Sequence, residues 1–287
     1  MRNSRKLVIS LPVLGPALLF LYRCNLAARS ICSSIPSAWQ WLKESREVTN
    51  FTYDLEQRNL CYLCALISEV TARPYSEIEI FAFEAINNET LRSHVRVMHQ
   101  DPLRRQFADE RLKWGRQLAY YILVRAMKPK VVVETGVDKG LGAIAIAAAI
   151  QRNQQDGFVG RYYGTDINPD AGYLLSGEYA EFGEILVGDS ASLLASFQSP
   201  IDFFVFDSER TPEYEALEYQ KVRDKLTGDA ILLTTFAHGS LALLNFALES
   251  GRHYLTFRER PEGHFYPGSE IGIAFAKSTS GEMPLSS

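Results

Sequence analysis

Short apolar runs alternate with longer mixed segments through the second half of the chain. Residues 131–133 are three valines, residues 203–206 read Phe-Phe-Val-Phe, and residues 230–233 read Ala-Ile-Leu-Leu. Unbroken runs of β-branched and aromatic residues are typical of strands that are buried on both faces. The alanine-rich residues 143–150 have the composition of a helix. The pattern therefore predicts strands and helices in alternation.

Five segments have the length of a strand, and the first four end in an acidic residue. They are residues 131–134, 161–166, 182–189, 201–207 and 230–235. The four acids are Glu134, Asp166, Asp189 and Asp207. Five strands with helical spacers predict an α/β fold with a doubly wound, mostly parallel sheet, in which ligands bind at the carboxyl ends of the strands. One acid alone could be a helix N-cap. Four acids at one edge predict a ligand-binding crevice.

The turn after the first run carries two glycines and two acids. Gly136 and Gly140 let the backbone turn tightly and approach a ligand, and the helix that follows offers free N–H groups. The dinucleotide fingerprint needs Gly-x-Gly-x-x-Gly. Here Asp138 occupies the position of the second glycine in that fingerprint, and its carboxylate would repel a pyrophosphate. The turn therefore favours a ligand that has a positive charge or free hydroxyls and no phosphate.

Four segments within residues 115–275 resemble the class I S-adenosylmethionine-dependent methyltransferases. They are Val-Val-Val-Glu-Thr-Gly-Val-Asp-Lys-Gly, Tyr-Gly-Thr-Asp-Ile-Asn-Pro, Val-Gly-Asp-Ser and Phe-Val-Phe-Asp-Ser-Glu-Arg-Thr-Pro-Glu-Tyr. The start of the helix after the fourth strand is most similar to the small-molecule O-methyltransferase branch. S-adenosylmethionine has a sulfonium, an ammonium and a ribose but no phosphate, so it agrees with the acids of the turn.

The resemblance implies a Rossmann-like methyltransferase core and a role for each strand end. Six residues would bind the cofactor: Glu134, Gly136, Gly140, Asp166, Asp189 and Ser190. Glu134 and Gly136 would line the methionine moiety. Asp166 would hold the ribose hydroxyls, and Asp189 with Ser190 would face the adenine. Asp207 would lie beside the reacting centre.

The end of the fifth strand departs from the catechol-type members of this branch. Those enzymes hold a divalent metal with the acid after the fourth strand and an Asp-Asn pair after the fifth. Residues 233–238 read Leu-Thr-Thr-Phe-Ala-His here, without a carboxylate. Magnesium prefers several oxygen ligands, usually including carboxylates. We therefore expect no metal, and a methyl transfer that depends on positioning and on removal of a proton.

Three residues of later loops are candidates for contact with the acceptor. His238 follows the fifth strand and is the candidate general base, because imidazole titrates near neutral pH. Alternatively, it is a loop histidine that caps the next helix. His264 and Tyr266 lie in a loop rich in glycine, proline and aromatic residues, and they are candidate substrate contacts. That loop could also be an ordinary hairpin. The expected acceptor is a small natural-product or sugar-like molecule.

The N-terminal third predicts several amphipathic helices before the core. We expect a helical arm or lid region at residues 1–105, the methyltransferase core at residues 106–277 and a flexible tail at residues 278–287. Residues 7–22 are uncharged but short for a membrane span. A helical arm or lid is the favoured interpretation of that segment, and contact with a membrane surface is the alternative. By family analogy, such helices also form a homodimer contact.

Composition agrees with a cytoplasmic enzyme. The chain has 287 residues and a net charge of −4, and it shows no basic stripe, so we expect no nucleic-acid partner. Among its four cysteines only Cys61 and Cys64 have close spacing, in a helical pattern typical of core cysteines, which indicates a reducing compartment. Two other functions remain open. One is a non-catalytic protein that keeps the cofactor fold, and the other is a nicotinamide-dependent oxidoreductase, which Asp138 disfavours.

Overall fold

The structure is a computed structural model that describes residues 14–32, 34–47 and 50–276. The predicted tail and residues 7–13 of the uncharged segment lie outside these ranges. The chain divides into two compact units. The first comprises the described residues before Glu47 together with Gly263–Tyr266, and the second comprises the others. The predicted boundary near residue 105 stays a prediction, although the helices that follow residue 56 belong to the same unit as the sheet.

The first unit contains helix α1 (Leu14–Cys32) and helix α2 (Ile35–Glu44). Pro36 lies in the first turn of α2, where its missing N–H has no helical partner to lose. The Trp41 ring meets Phe265 edge to face, with 5.0 Å between the ring centroids. Within the described residues, no helix combines the length and the apolar composition that crossing a membrane requires.

The second unit contains a seven-stranded sheet with the order β3-β2-β1-β4-β5-β7-β6. The strands are β1 (Val131–Thr135), β2 (Arg161–Asp166), β3 (Gly183–Val187), β4 (Ile201–Phe206), β5 (Leu226–Thr234), β6 (His253–Arg258) and β7 (Glu270–Phe275). Strands β1 to β5 are parallel, and β7 runs antiparallel between β5 and β6. The strand order reverses between β1 and β4, which places the ligand crevice at their carboxyl ends. The predicted fold class is confirmed.

Helices flank the sheet and bury its apolar strands. They are α3 (Gln57–Thr71), α4 (Tyr75–Ile86), α5 (Glu89–His99), α6 (Gln117–Met127), α7 (Leu141–Gln155), α8 (Ser190–Ser196), α9 (Pro212–Val222) and α10 (Ala242–Glu249). Helices α6 and α7 pack against each other. Residues 118–126 of α6 are all buried, so this helix has no polar face. The apolar pattern therefore did not predict it.

Strand β5 is longer than the sequence pattern predicts. It begins at Leu226 instead of residue 230, so Thr227, Gly228 and Asp229 belong to the strand, although their composition is typical of a turn. The pairing of β4 with β5 shifts register between Ile201 and Phe203. Such an irregularity lets turn-forming residues lie within a strand.

Candidate functional site

The loop after β1 turns through three residues with positive φ, which are Gly136 (78°), Asp138 (47°) and Gly140 (94°). A Cβ atom on Gly136 would lie 2.7 Å from the Cα of Ser208 and still closer to the carbonyl oxygen of Asp207. Gly136 is therefore required because the backbone after β4 crosses it. A Cβ on Gly140 would meet Gly172 at 3.0 Å. Both glycines let neighbouring loops approach at the sheet edge.

The Asp166 carboxylate holds this loop in place. Its Oδ2 accepts hydrogen bonds from the backbone N–H groups of Val137 (3.0 Å) and Asp138 (2.9 Å). Its Oδ1 accepts one from the N–H of Asn168 at 2.9 Å. An ionised carboxylate has about four acceptor positions. Asp166 therefore shapes the loop and keeps about one position for a ligand hydroxyl.

Glu134 is buried at the end of β1, with 2% of its surface exposed. The Tyr162 hydroxyl donates to its Oε2. Burial raises the pKa of Glu134 from 4.5 to about 8, against the opposing effects of the Tyr162 hydrogen bond and the Arg116 charge. A Cβ on Gly142 would lie 2.8 Å from the Glu134 carboxyl carbon, so this glycine admits the carboxylate beside the first turn of α7. We did not predict Gly142 as a site residue.

Asp189 caps the N-terminus of helix α8 and also lines a cavity at the edge of the sheet. Its Oδ2 accepts from the Ser192 N–H at 2.8 Å, and its Oδ1 accepts from the Tyr214 hydroxyl at 2.6 Å. These hydrogen bonds, first those from Ser192 and Tyr214, lower the pKa of Asp189. Ser190 is buried next to it and donates through Oγ to Glu218. The N-cap interpretation is correct for Asp189, and it is compatible with a ligand contact.

Two adjoining cavities lie at this edge of the sheet. The larger cavity, of about 480 Å³, is lined by Gly136, Asp138, Asp166, Asp189, Ser190, Asp207, Ser208 and their neighbours. The smaller cavity, of about 70 Å³, is lined by residues that include Asn50, Phe51, Arg116, Glu134 and Gly136. The larger one has the size of a small-molecule site. A concavity of about 850 Å³ near Lys130 and Asp202 contains none of the predicted site residues.

Asp207 is surrounded by cationic and hydroxyl donors. Arg116 donates to its Oδ2 at 2.8 Å, and Arg210 donates to its Oδ1 at 3.1 Å. Thr235 donates to Oδ1 as well. Burial lowers the pKa of the Arg116 guanidinium, but the charges of Asp207, Tyr120 and Glu259 and the hydrogen bond to Asp207 together raise it overall. The sequence carried no motif that singles out Arg116, because it lies 91 residues before Asp207.

Of the three candidate acceptor contacts, His238 belongs to the same unit as the cavities. His238 is exposed, meets Phe236 edge to face and lines neither cavity. The hydroxyl of Ser240, and not His238, accepts from the N–H of Ala242 at the start of α10. His264 and Tyr266 belong to the first unit, where the Tyr266 N–H donates to His264 Nδ1 at 3.0 Å. The roles of these three residues stay predictions.

In the described part of the chain, no three His, Cys, Asp or Glu side chains come together as ligands of a metal ion. The Asp207 carboxylate accepts hydrogen bonds from guanidinium groups, and the Asp166 carboxylate accepts them from backbone N–H groups. The geometry offers carboxylate and hydroxyl acceptors around a cleft beside the topological switch point. Such a cleft suits a ligand with hydroxyl and amine donors.

Comparison with known proteins concerns the family and the fold. Residues 133–234 match a sequence family described as "Methyltransferase domain". No curated protein sequence matches the chain. Among solved structures, a provisionally named O-methyltransferase from Klebsiella pneumoniae has a TM-score of 0.50 at 12% identity, over 67% of this chain and 91% of that one. A methyltransferase from Geobacter sulfurreducens has 22% identity and a TM-score of 0.46, over 65% and 89%. The family match over residues 133–234, together with the strand order of the sheet, shows that the chain contains a methyltransferase domain with a Rossmann-like fold.

Proposed function

We propose that the protein transfers the methyl group of S-adenosylmethionine to a hydroxyl oxygen of a small natural-product or sugar-like acceptor, without a divalent metal. The observation that carries the proposal is the set of acceptors around two adjoining cavities at the switch point of the sheet. We further propose that the enzyme is cytoplasmic and a homodimer, and that nucleic acids and membranes are not its partners.

The residues of the cavities fit the cofactor. Asp166 has an acceptor position for a ribose hydroxyl, and Asp189 with Ser190 offers acceptors to the adenine amine. The Ile167 side chain is 79% exposed at the rim of the larger cavity and offers an apolar surface to the adenine ring. Glu134 lies in the smaller cavity, where its carboxylate can receive the ammonium of the methionine moiety. When bound, the cofactor supplies a methyl group on a sulfonium, which is a good leaving group.

The surroundings of Asp207 support chemistry without a metal. Two guanidinium groups and one hydroxyl already occupy most of its acceptor positions. A divalent cation at this carboxylate would lie close to both guanidinium charges and would be repelled by them. The Arg116–Asp207 ion pair thus forms a fixed polar wall beside the smaller cavity.

The proton of the acceptor hydroxyl needs a base. As the oxygen bonds to the methyl carbon and the carbon–sulfur bond breaks, we propose that His238 takes this proton. Its exposed position is compatible with that role because catalytic hydrogen bonds often form only when substrate is bound. An acceptor that is already ionised, such as a carboxylate, would need no base.

Binding and turnover measurements test the proposal. We expect calorimetric titration to show binding of S-adenosylhomocysteine and no binding of nicotinamide cofactors. With labelled S-adenosylmethionine, we expect methyl transfer to at least one member of a panel of phenols, sugars and carboxylates, unchanged by EDTA. Binding of nicotinamide cofactors alone would support the oxidoreductase. Binding of S-adenosylhomocysteine without turnover across the panel would support the non-catalytic protein. Activity that EDTA abolishes and magnesium restores would contradict the metal-free proposal.

A further inference from the structure

A buried carboxylate that we did not predict lies behind the wall of the larger cavity. Glu218 on α9 has no exposed surface. Its Oε1 accepts hydrogen bonds from the hydroxyls of Ser190 and, at 2.7 Å, Ser208. Its Oε2 accepts one from the hydroxyl of Thr135 at 2.7 Å. Three hydroxyls from three separate segments thus converge on one side chain.

Each of these hydroxyls stands next to a predicted site residue in the chain. Thr135 lies between Glu134 and Gly136, Ser190 follows Asp189, and Ser208 follows Asp207. Glu218 therefore joins the backbone after β1, β3 and β4 at the edge of the sheet where the two cavities lie. Tyr214, one helical turn before Glu218, donates to Asp189 from the same face of α9.

The three hydrogen bonds also have a fixed direction. Burial raises the pKa of Glu218, and the hydrogen bonds from Ser190, Thr135 and Ser208 oppose this by stabilising the ionised form. In that form the carboxylate only accepts, so the three hydroxyl protons point toward Glu218. The lone pairs of these oxygens then face away from it. Ser190 and Ser208 line the larger cavity with Tyr214, whose hydroxyl lies 3.0 Å from Ser190 Oγ. With their protons directed to Glu218, the two serine oxygens offer only lone pairs on the cavity side. The adenine amine and the ribose hydroxyls are donors, so this polarity matches the proposed ligand.

We propose that Glu218 is a positioning residue of the methyltransferase, which orients the hydroxyls of Ser190 and Ser208 as acceptors for the adenosine part of the cofactor. This inference rests on the proposed placement of adenosine in the larger cavity. Glu218 has no contact with that cavity, so it acts through the hydroxyls. The Glu218→Gln variant keeps the shape of the side chain, but its amide must donate to one of the hydroxyls and reverses that hydrogen bond.

The chain provides a matched control on the same helix. Glu215 is also fully buried, accepts from the Tyr219 hydroxyl at 2.7 Å and touches neither cavity. The Glu215→Gln variant thus makes the same chemical change in an equally buried place, away from the site. Thr135→Val is a second probe, because it removes one donor to Glu218 and Thr135 lines neither cavity.

Calorimetric titration with S-adenosylhomocysteine, together with thermal unfolding of each protein, tests the inference. We expect Glu218→Gln to weaken binding by about tenfold, which corresponds to about 1.4 kcal/mol. We expect Glu215→Gln to bind within about twofold of the wild type at a comparable change in melting temperature. Thr135→Val should weaken binding by about threefold. The double variant should lose less than the product of the two effects, because both changes act on one network.

Three results would overturn the inference. The first is wild-type affinity in a folded Glu218→Gln variant, and the second is an equal loss of affinity in Glu215→Gln. If Glu218→Gln did not fold, wild-type affinity in Thr135→Val would be the third. If the wild-type protein did not bind S-adenosylhomocysteine, the proposed placement of adenosine would be wrong. If the wild type bound it and the variants bound it equally well, only the role of Glu218 would be wrong.

Discussion

At the scale of residues, burial separates the acidic side chains of the strand ends. Glu134 is almost fully buried, and its pKa is raised to about 8. Asp189 is exposed, and hydrogen bonds from Ser192 and Tyr214 lower its pKa. The two acids consequently carry different charges near neutral pH in the protein without ligand. Glu134 can take a proton when the smaller cavity lacks a cation, whereas Asp189 stays ionised.

The raised pKa of Glu134 predicts a dependence of stability on pH. In the unfolded chain Glu134 ionises near its ordinary pKa of 4.5, but in the folded protein it keeps its proton to about pH 8. The folded state binds more protons in this window, so the free energy of unfolding falls as the pH rises through it. We expect Glu134→Gln to remove up to about 1.4 kcal/mol per pH unit of this fall. Urea unfolding of both proteins between about pH 5 and pH 8 measures the difference. Equal slopes would contradict the prediction.

Asp166→Ala should weaken cofactor binding strongly. It removes the acceptor for a ribose hydroxyl and also releases the N–H groups of Val137 and Asp138. We expect a loss of about 2–3 kcal/mol, or roughly 30- to 150-fold in Kd for S-adenosylhomocysteine by calorimetry. Asp170→Ala is the control, because Asp170 is exposed in the same loop and lines neither cavity. Unchanged affinity in Asp166→Ala would remove Asp166 from the site.

His238→Ala should lower turnover and leave cofactor affinity nearly unchanged. A lost general base typically costs about 10²–10⁴-fold in rate. His253→Ala is the matched control, because His253 is an exposed histidine on β6 whose ring contacts Phe275. Steady-state rates with saturating cofactor measure the effect. If His238→Ala kept more than about a tenth of the wild-type rate, a loss below the range for a general base, the same assay on His264→Ala and Tyr266→Phe would test the other two candidates.

At the scale of elements, the conformation of the loop after β1 is determined by the backbone that follows the adjacent strand β4 and crosses this loop. The sequence suggested that Gly136 leaves space for a ligand. The structure shows instead that a side chain there would collide with the backbone of Asp207 and Ser208. The carboxyl ends of β1 and β4 can approach each other only because this residue has no Cβ. The shape of the crevice thus depends on a contact between two loops.

Gly136→Ala should therefore destabilise the fold as well as weaken cofactor binding. Gly157 is a matched control, since its φ is also positive (88°) and a Cβ there would meet nothing within 4 Å. We expect Gly157→Ala to cost about 1–2 kcal/mol from the backbone conformation alone. Gly136→Ala should cost about 1–3 kcal/mol more, the usual penalty of overpacking. Urea unfolding compares the two variants. Equal losses would show that the loops move apart easily.

At the scale of the whole molecule, apolar side chains remain exposed on α4. Ile80 is 64% exposed and Phe83 is 59% exposed. Exposed apolar patches commonly mark contacts between proteins, and we expect a homodimer. Light scattering after gel filtration should give a molar mass of about twice the 32.3 kDa of one chain. A mass of one chain at the concentrations used for enzyme assays would contradict this expectation.

The sequence by itself determined the parallel part of the sheet and the edge at which the candidate site lies. Apolar runs identified β1 and β4 closely, because strands buried on both faces have a local signature that needs no knowledge of their neighbours. The acids that close these runs, from Glu134 to Asp207, indicated the crevice because all parallel strands end at one edge of a sheet. The amphipathic helices predicted for the N-terminal third, which include α3 and α5, are also recognised locally, from apolar residues that recur on one face.

Only the tertiary structure decided which side chains meet. Arg116 forms an ion pair with Asp207, 91 residues later in the chain. Glu218 accepts hydrogen bonds from hydroxyls of three separate segments. Neither contact has a signature in local spacing, since each depends on how the ends of distant segments are arranged. Helix α6 was missed because uniform burial removes the alternation that predicts an amphipathic helix. Local patterns determine which elements form, whereas the packing of those elements determines the electrostatics of the site.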